Sequence, residues 1–266
     1  MQSLAIRDLI GRRNYTSARK PLIAFGGAVY DSQSYPQGQV ESELQLAEIK
    51  KEAYQALGRG KSLRKFYDAF GLLRWGNIPG ARAEVKAIKS LIPDSEIYID
   101  ELADESVLKE LSMCGKLNEY KVIHFATHGF VVPEFPELSS IVLSLHRQEK
   151  NNDDGFLNVS EIGALRLNAD FVNLSACETG LGKLYAGEGI EGFTQAFMIA
   201  GANSLSVSLW QVSDESTVKF MCGIYECVKN SHLSYSESIS QMKRKFLNSK
   251  SLAHPFYWAP FVYYGL

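Results

Sequence analysis

Apolar residues fall into short, nearly continuous runs separated by longer stretches with helical spacing, and most runs close on glycine or another turn former. Pro21-Leu-Ile-Ala-Phe-Gly26-Gly27 is the first such run and suits a buried parallel strand opening into a loop. An exposed loop over 31–39 follows, then a helical excursion from Glu41 to about Tyr67, broken near Gly58 and Gly60. Pro79 to Ile92 reads as a helix, Glu96 to Asp100 as a short alternating strand, and Asp104 to Leu111 as the next helix. Lys121-Val-Ile-His-Phe-Ala-Thr-His128-Gly129 is a strand closing on His128. Ser139 to Leu145 forms one arm of a hairpin with its turn at 151–155, and Val159 to Leu165 a short helix. Asp170-Phe-Val-Asn-Leu-Ser-Ala-Cys177 is a strand closing on Cys177. Ile190 to Ala200 is an apolar helix, Ser204 to Trp210 a strand, Asp214 to Lys229 and Tyr235 to Asn248 two helices, and Pro260 to Gly265 a last strand.

Strands separated mostly by helices require right-handed crossovers. The pattern therefore predicts an α/β fold with a largely parallel six-stranded sheet flanked by helices. A chain of 266 residues with 45% hydrophobic content can bury an ordinary core. One domain over 21–266 is expected, with 1–20 an N-terminal extension or the end of a preceding regulatory region. The net charge of −2 favours neither a nucleic-acid nor a membrane partner. Cys114, Cys177, Cys222 and Cys227 are too sparse for a secreted disulfide framework, and the first fifteen residues lack an uninterrupted signal core. No segment has the apolar length of a membrane helix. A soluble, cytoplasmic protein is the expectation.

The chemistry concentrates on His128 and Cys177. In an open α/β sheet, functional side chains gather at the carboxyl ends of strands, and here an imidazole and a thiol are delivered there together. A cysteine peptidase needs a thiolate nucleophile, a histidine that stabilises it and protonates the leaving amine, and oxyanion donors. Cys177 would attack, His128 would be the acid/base, and the backbone N–H groups of Gly129 and Cys177 would hold the oxyanion. Trp210 and Asp214, after a neighbouring strand, would wall the substrate pocket, and Glu188 would border it at the end of a loop from Glu178. Asp214 equally suits helix N-capping. The glycine content of 178–188 makes that loop a candidate for disorder until a partner binds.

Other motifs carry less. His124 lies four residues before His128, but on a strand the two stand about 13 Å apart, too far for one metal ion. Gly187-Glu-Gly189-Ile-Glu-Gly192 spells a dinucleotide fingerprint, yet begins ten residues beyond its strand. Gly58-Arg-Gly60-Lys61-Ser62 lacks the first glycine of a phosphate loop, since position 55 is Gln. Cys222 and Cys227 suit core packing, and Arg59 to Lys65 a solvated basic face. No metal or organic cofactor is implied.

The motifs together resemble the CHAT family, the separase-like and caspase-like peptidases of mostly bacteria and archaea. The resemblance rests on Pro79-Gly-Ala-Arg-Ala-Glu84, His124-Phe-Ala-Thr-His128-Gly129, Asn173-Leu-Ser-Ala-Cys177-Glu-Thr-Gly180, Ala200-Gly-Ala202 with Ser208-Leu-Trp210, and His254-Pro-Phe-Tyr-Trp-Ala-Pro-Phe261, in the family's order. It implies a caspase-hemoglobinase-like sheet with His128 and Cys177 as the dyad. The separation, 177 − 128 = 49 residues, agrees with the roughly 50 residues between histidine and cysteine in caspases. Ala-Cys-Glu-Thr-Gly around the cysteine departs from the caspase Q-A-C-R-G, so aspartate specificity does not carry over. Family members often follow helical repeats and serve in antiviral defence or programmed cell death under a sensor. The segment before Pro21 is too short for a helical hairpin, so either this is an excised domain or the activating partner is a separate chain. A protein substrate is expected; the rival expectation is a catalytically idle interaction domain.

Overall fold

The computed structural model describes residues 18–30, 51–52, 55, 63–69, 75–132, 136–145, 153–175, 188–210 and 212–265. Nine strands among them form two sheets: β1 (Lys20–Gly26), β2 (Glu96–Ile99), β3 (Tyr120–Ala126), β4 (His128–Phe130), β5 (Ser140–Val142), β6 (Phe156–Asn158), β7 (Phe171–Leu174), β8 (Ser204–Ser208) and β9 (Phe261–Gly265). The main sheet runs β2-β1-β3-β7-β8-β9, with every neighbouring pair parallel except β8 and β9. β4, β5 and β6 form a separate antiparallel sheet. Seven helices accompany them: α1 (Arg64–Ala69), α2 (Pro79–Leu91), α3 (Glu105–Met113), α4 (Val159–Ala164), α5 (Glu188–Ala200), α6 (Asp214–Ser231) and α7 (Tyr235–Leu247).

The expected largely parallel six-stranded sheet is present, and each of its strands lies within or close to the segment the sequence pattern assigned. One boundary moves. β3 ends at Ala126, Thr127 bends, and His128 opens β4 rather than closing β3. The short apolar runs are explained by burial on both faces of the sheet. On β1, Ile23 and Phe25 face a core shared with α3, α4 and α5, whereas Leu22 and Ala24 face a second core under α2, α6 and α7. A third, more aromatic core lies beneath the small sheet, where Tyr67 packs against Phe130 and Phe156.

Local chemistry sets several helix starts. Asp104 accepts from the backbone of Ser106 and Val107 at the head of α3, Asn158 and Glu161 close a capping box on α4, and Ser234 and Glu237 do the same for α7. Pro79 supplies the first residue of α2, where its missing N–H costs nothing. No helix among the described residues is long and apolar enough to cross a membrane.

The edge strand β2 is pinned by charge. Glu96 receives Lys116 Nζ at 2.6 Å and the Tyr98 hydroxyl at 2.6 Å, and the Tyr120 hydroxyl also donates to it. Partial burial alone would raise this carboxyl, but the donors from Lys116, Tyr120 and Tyr98 outweigh it and pull the group down to about 2. A depressed acid stabilises the fold above its ordinary range, and that contribution is lost as pH falls from about 4.5 towards 2. With the side chain 33% exposed, solvent screening reduces the effect, so Glu96→Gln should cost about 1–2 kcal/mol at pH 7. Urea unfolding at pH 7 and near pH 2 should show the gap between variant and parent closing at the lower value.

Candidate active site

The chain runs from β1 out to β2 and then crosses back to β3 on the other side of β1, so the connections that leave the carboxyl ends of β1 and β3 lead to opposite sides of the sheet order. Such switch points open the crevices in which α/β proteins bind ligands. Two glycines leave β1 here. A Cβ on Gly26 would stand 2.6 Å from Val85 Cγ2 and 3.0 Å from Ala126 Cβ, and one on Gly27, whose φ is +64°, would stand 2.7 Å from Arg82 Cβ. Helix α2 therefore seats directly on the strand ends because neither residue has a side chain.

His128 occupies this switch point and is 4% exposed. Its ring lies between Tyr30 and Trp75, with centroids 4.8 Å and 4.9 Å away. The Tyr30 hydroxyl accepts from His128 N at 3.2 Å and donates to Val142 O at 3.0 Å. His128 Nε2 lies 2.6 Å from the carbonyl oxygen of Gly76. A carbonyl can only accept, so Nε2 must carry the hydrogen, and the neutral ring presents Nδ1 as its basic nitrogen. Sequence reasoning missed Tyr30, Trp75 and Gly76. The first two sit just beyond the glycines of β1 and just ahead of Pro79-Gly80, and a backbone carbonyl has no residue-type signature.

The second predicted member of the dyad enters from β7. β3 and β7 are paired in parallel with His124 opposite Asn173 and Phe125 opposite Leu174, and Ser175 N donates to Phe125 O at 2.9 Å. The two strands thus leave the sheet side by side. Cys177 lies two residues beyond Ser175, outside the described residues, together with 178–187. Gly129 sits in β4 opposite Ile141. Glu188 opens α5, so the glycines at 189 and 192 lie within a helix rather than in a phosphate-cradling turn.

Trp210 and Asp214 follow β8, the neighbour of β7. Trp210 Nε1 donates to Phe256 O at 3.1 Å. Ser213 holds the N-cap position of α6, so Asp214 is in the first turn and does not cap its own helix. Its Oδ2 instead accepts from Gly80 N at 2.8 Å, satisfying one of the free N–H groups at the head of α2. A Cβ on Gly80 would stand 2.1 Å from Asp214 Cβ.

The remaining thiols differ from one another. Cys114 is exposed, whereas Cys222 and Cys227 pack against the core under α2 and α6. Burial, with Glu84 and Glu226 nearby, pushes the Cys222 thiol up to about 11. Among the described residues, no three His, Cys, Asp or Glu side chains are grouped as a metal site would require.

Residues 5–266 match the CHAT domain, and the chain belongs to the CHAT domain family. It is 25% identical over 220 residues to mouse tetratricopeptide repeat protein 28 and 24% identical over 220 residues to the human protein of that name. Each match covers 72% of this chain but only 9% and 8% of the relatives' own lengths. Among solved structures, the chain resembles the Saccharomyces cerevisiae separase–securin complex, with a TM-score of 0.46 and 16% identity over 99% of this chain and 13% of that one. It also resembles the Arg-specific cysteine proteinase gingipain R, with a TM-score of 0.47 and 10% identity over 99% of this chain and 51% of that one.

The two glycines flanking Pro79 should respond oppositely to a methyl group. No atom lies within 4 Å of a Cβ built on Gly76, so Gly76→Ala should change stability by less than about 0.5 kcal/mol. Gly80→Ala must push α2 away from Asp214 and should cost about 1–3 kcal/mol. Chemical denaturation of both variants checks the contrast.

Proposed function

We propose that this CHAT domain is a cysteine endopeptidase in which His128 and Cys177 form the dyad. The observation that carries the reading is the hydrogen bond from His128 Nε2 to Gly76 O, within an aromatic bracket, beside the outlet of the strand that leads to Cys177. Holding Nε2–H on a carbonyl leaves Nδ1 as the nitrogen that an acid/base would use.

In this mechanism the Cys177 thiol gives its proton to His128 Nδ1, and the thiolate attacks the scissile carbonyl carbon. The N–H groups of Gly129 and Cys177 receive the oxyanion of the tetrahedral intermediate. Its collapse breaks the C–N bond, with His128 returning the proton to the departing amine, and leaves a thioester on Cys177. Water, deprotonated by His128, then releases the acid product and restores the thiol. Gly76 O accepts from Nε2–H throughout and supports the positive charge that the ring carries between the proton transfers.

Trp210 and Asp214 are assigned to the wall of the substrate pocket, with Glu188 at its border, because β8 delivers the first two beside β7. The broader role is that of a partner-activated effector in prokaryotic defence or cell-death signalling, with a protein substrate, as the family resemblance implies. A regulatory region or a separate activating chain would control the loop after Cys177.

Cys177→Ala should abolish peptide cleavage by the activated protein, and His128→Ala should lower kcat by at least about 100-fold. Cleavage that survives Cys177→Ala overturns the assignment of Cys177 as nucleophile, and an activated parent that cleaves nothing leaves the interaction-domain reading in its place. In the unmodified chain, iodoacetamide should alkylate Cys177 first, exposed Cys114 more slowly and Cys222 last, since the thiolate is the reactive form. Peptide-resolved mass spectrometry reads the order, and equal labelling of all four thiols would remove the dyad.

A further inference from the structure

The apolar core between the sheet and helices α2 and α6 contains a polar cluster of side chains that the mechanism above does not use. His124 is fully buried at the middle of β3, and Glu84 on α2 and Tyr225 on α6 are each 3% exposed. His124 Nδ1 receives the Tyr225 hydroxyl at 2.8 Å and Asn173 Nδ2 at 3.2 Å. With two donors on Nδ1, the ring hydrogen resides on Nε2, which lies 2.8 Å from Glu84 Oε1. Four elements, β3, β7, α2 and α6, thus meet on a single imidazole.

Such a group is a poor stabiliser. Taking a carboxylate and an imidazole out of water costs more than apolar side chains of the same volume would, and Asn173 Oδ1, Glu84 Oε1 and His124 Nε2 each lack a well-directed hydrogen bond among the described residues, so Glu84 meets the ring as a close polar contact only. What a buried polar contact supplies instead is register, because only one alignment of the elements brings these groups together. The sequence places this alignment at matching positions. His124 precedes His128 by 128 − 124 = 4 residues, Asn173 precedes Cys177 by 177 − 173 = 4 residues, and His124 and Asn173 are direct register partners. A slip of one residue between β3 and β7 would displace one strand outlet against the other by about 3.3 Å. Glu84 adds the third coordinate. It sits one turn beyond Gly80 on α2, and the chain just ahead of that helix presents the Gly76 carbonyl to His128.

We propose that Glu84, His124 and Asn173 are positioning residues: their buried contacts set the register of β3 against β7 and the height of α2, and through these the alignment of His128 with Cys177. The inference rests on the cysteine-peptidase reading and deepens it.

The test uses the full chain and compares Glu84→Leu and Glu84→Gln with the parent and with His128→Ala. The readouts are the rate of Cys177 alkylation by iodoacetamide, the Tm, and kcat and KM for a peptide substrate of the activated protein. The dyad is read first. In the parent, Cys177 should label faster than Cys114, and His128→Ala should remove that advantage. Given this, Glu84→Leu should slow Cys177 labelling and lower kcat about tenfold, with KM unchanged and Tm equal to or above the parent's. Glu84→Gln, which keeps an acceptor opposite Nε2, should recover part of the rate. Labelling at the parent's rate in Glu84→Leu overturns the inference, as does a loss of labelling that only tracks a fall in Tm. If Glu84→Leu does not fold, the same criteria apply to Glu84→Gln, with a partial loss expected at unchanged Tm. A parent whose Cys177 labels no faster than Cys114 removes the peptidase reading, and this inference with it.

Discussion

The seating of α2 on the ends of β1 and β3 is the constraint from which the rest of the site follows. The helix can come that close only because residues 26 and 27 are glycine, and it is held there by Asp214 at its first turn and by Glu84 one turn later. The chain entering the helix is Trp75-Gly-Asn-Ile78, so the depth of the helix also fixes where Trp75 stacks and where the Gly76 carbonyl stands. Backbone approach, helix-terminus electrostatics and a buried polar contact thus cooperate on one rigid body. A different residue type at 26 or 80 would lift that body, and His128 would lose the acceptor that fixes its tautomer.

The division of labour between the cores follows the same logic. The layer under α3, α4 and α5 is apolar at its centre, with Phe25 stacked on Phe125 and Tyr98, and meets the charged Glu96 only at the edge strand β2. Its stabilisation is non-directional and scales with buried area. The layer under α2 and α6 is where His124, Asn173 and Glu84 interrupt the apolar surface, beside the buried Ser206 that pairs with Asn173. Polar contacts thus lie in the middle of the sheet on the face from which His128 takes its carbonyl partner. On the opposite face they lie at the margins, around Glu96 and Lys109, and the centre is left to apolar side chains.

Much of this architecture was legible from the chain itself, because strands buried on both faces announce themselves as short apolar runs bounded by glycine or turn residues. Pro79 and the capping residues Asp104, Asn158 and Ser234 marked helix starts by local chemistry alone. Three things were not legible. That His128 opens a second sheet depends on pairing with Val142, a contact between residues 14 apart that no local pattern encodes. The partner of His128 is a main-chain carbonyl, which any residue at 76 would supply. Asp214 could be read as a cap because first-turn carboxylates favour helix N-termini in general; that it serves the terminus of another helix follows only from how α2 and α6 pack. Cys177 was marked by residue type and position alone, and its neighbours on the described side, Leu174 and Ser175, are consistent with a strand that ends before it.

A carbonyl partner for His128 differs from a carboxylate. It carries no charge to be titrated, so Gly76 O accepts from Nε2–H whether or not Nδ1 also carries a hydrogen. It also favours a charged imidazole less than a full negative charge would. In the proposed dyad, more of the stabilisation of an imidazolium would then fall to the cysteine thiolate. The position of such a carbonyl is only as secure as the backbone that bears it. Here that backbone is clamped by Trp75, stacked on Phe130 and tilted against His128, and by the first turn of α2. The precision of the chemistry is therefore set by how firmly residues 75–80 are packed, and that packing draws on both the small aromatic sheet and the helix layer beneath it.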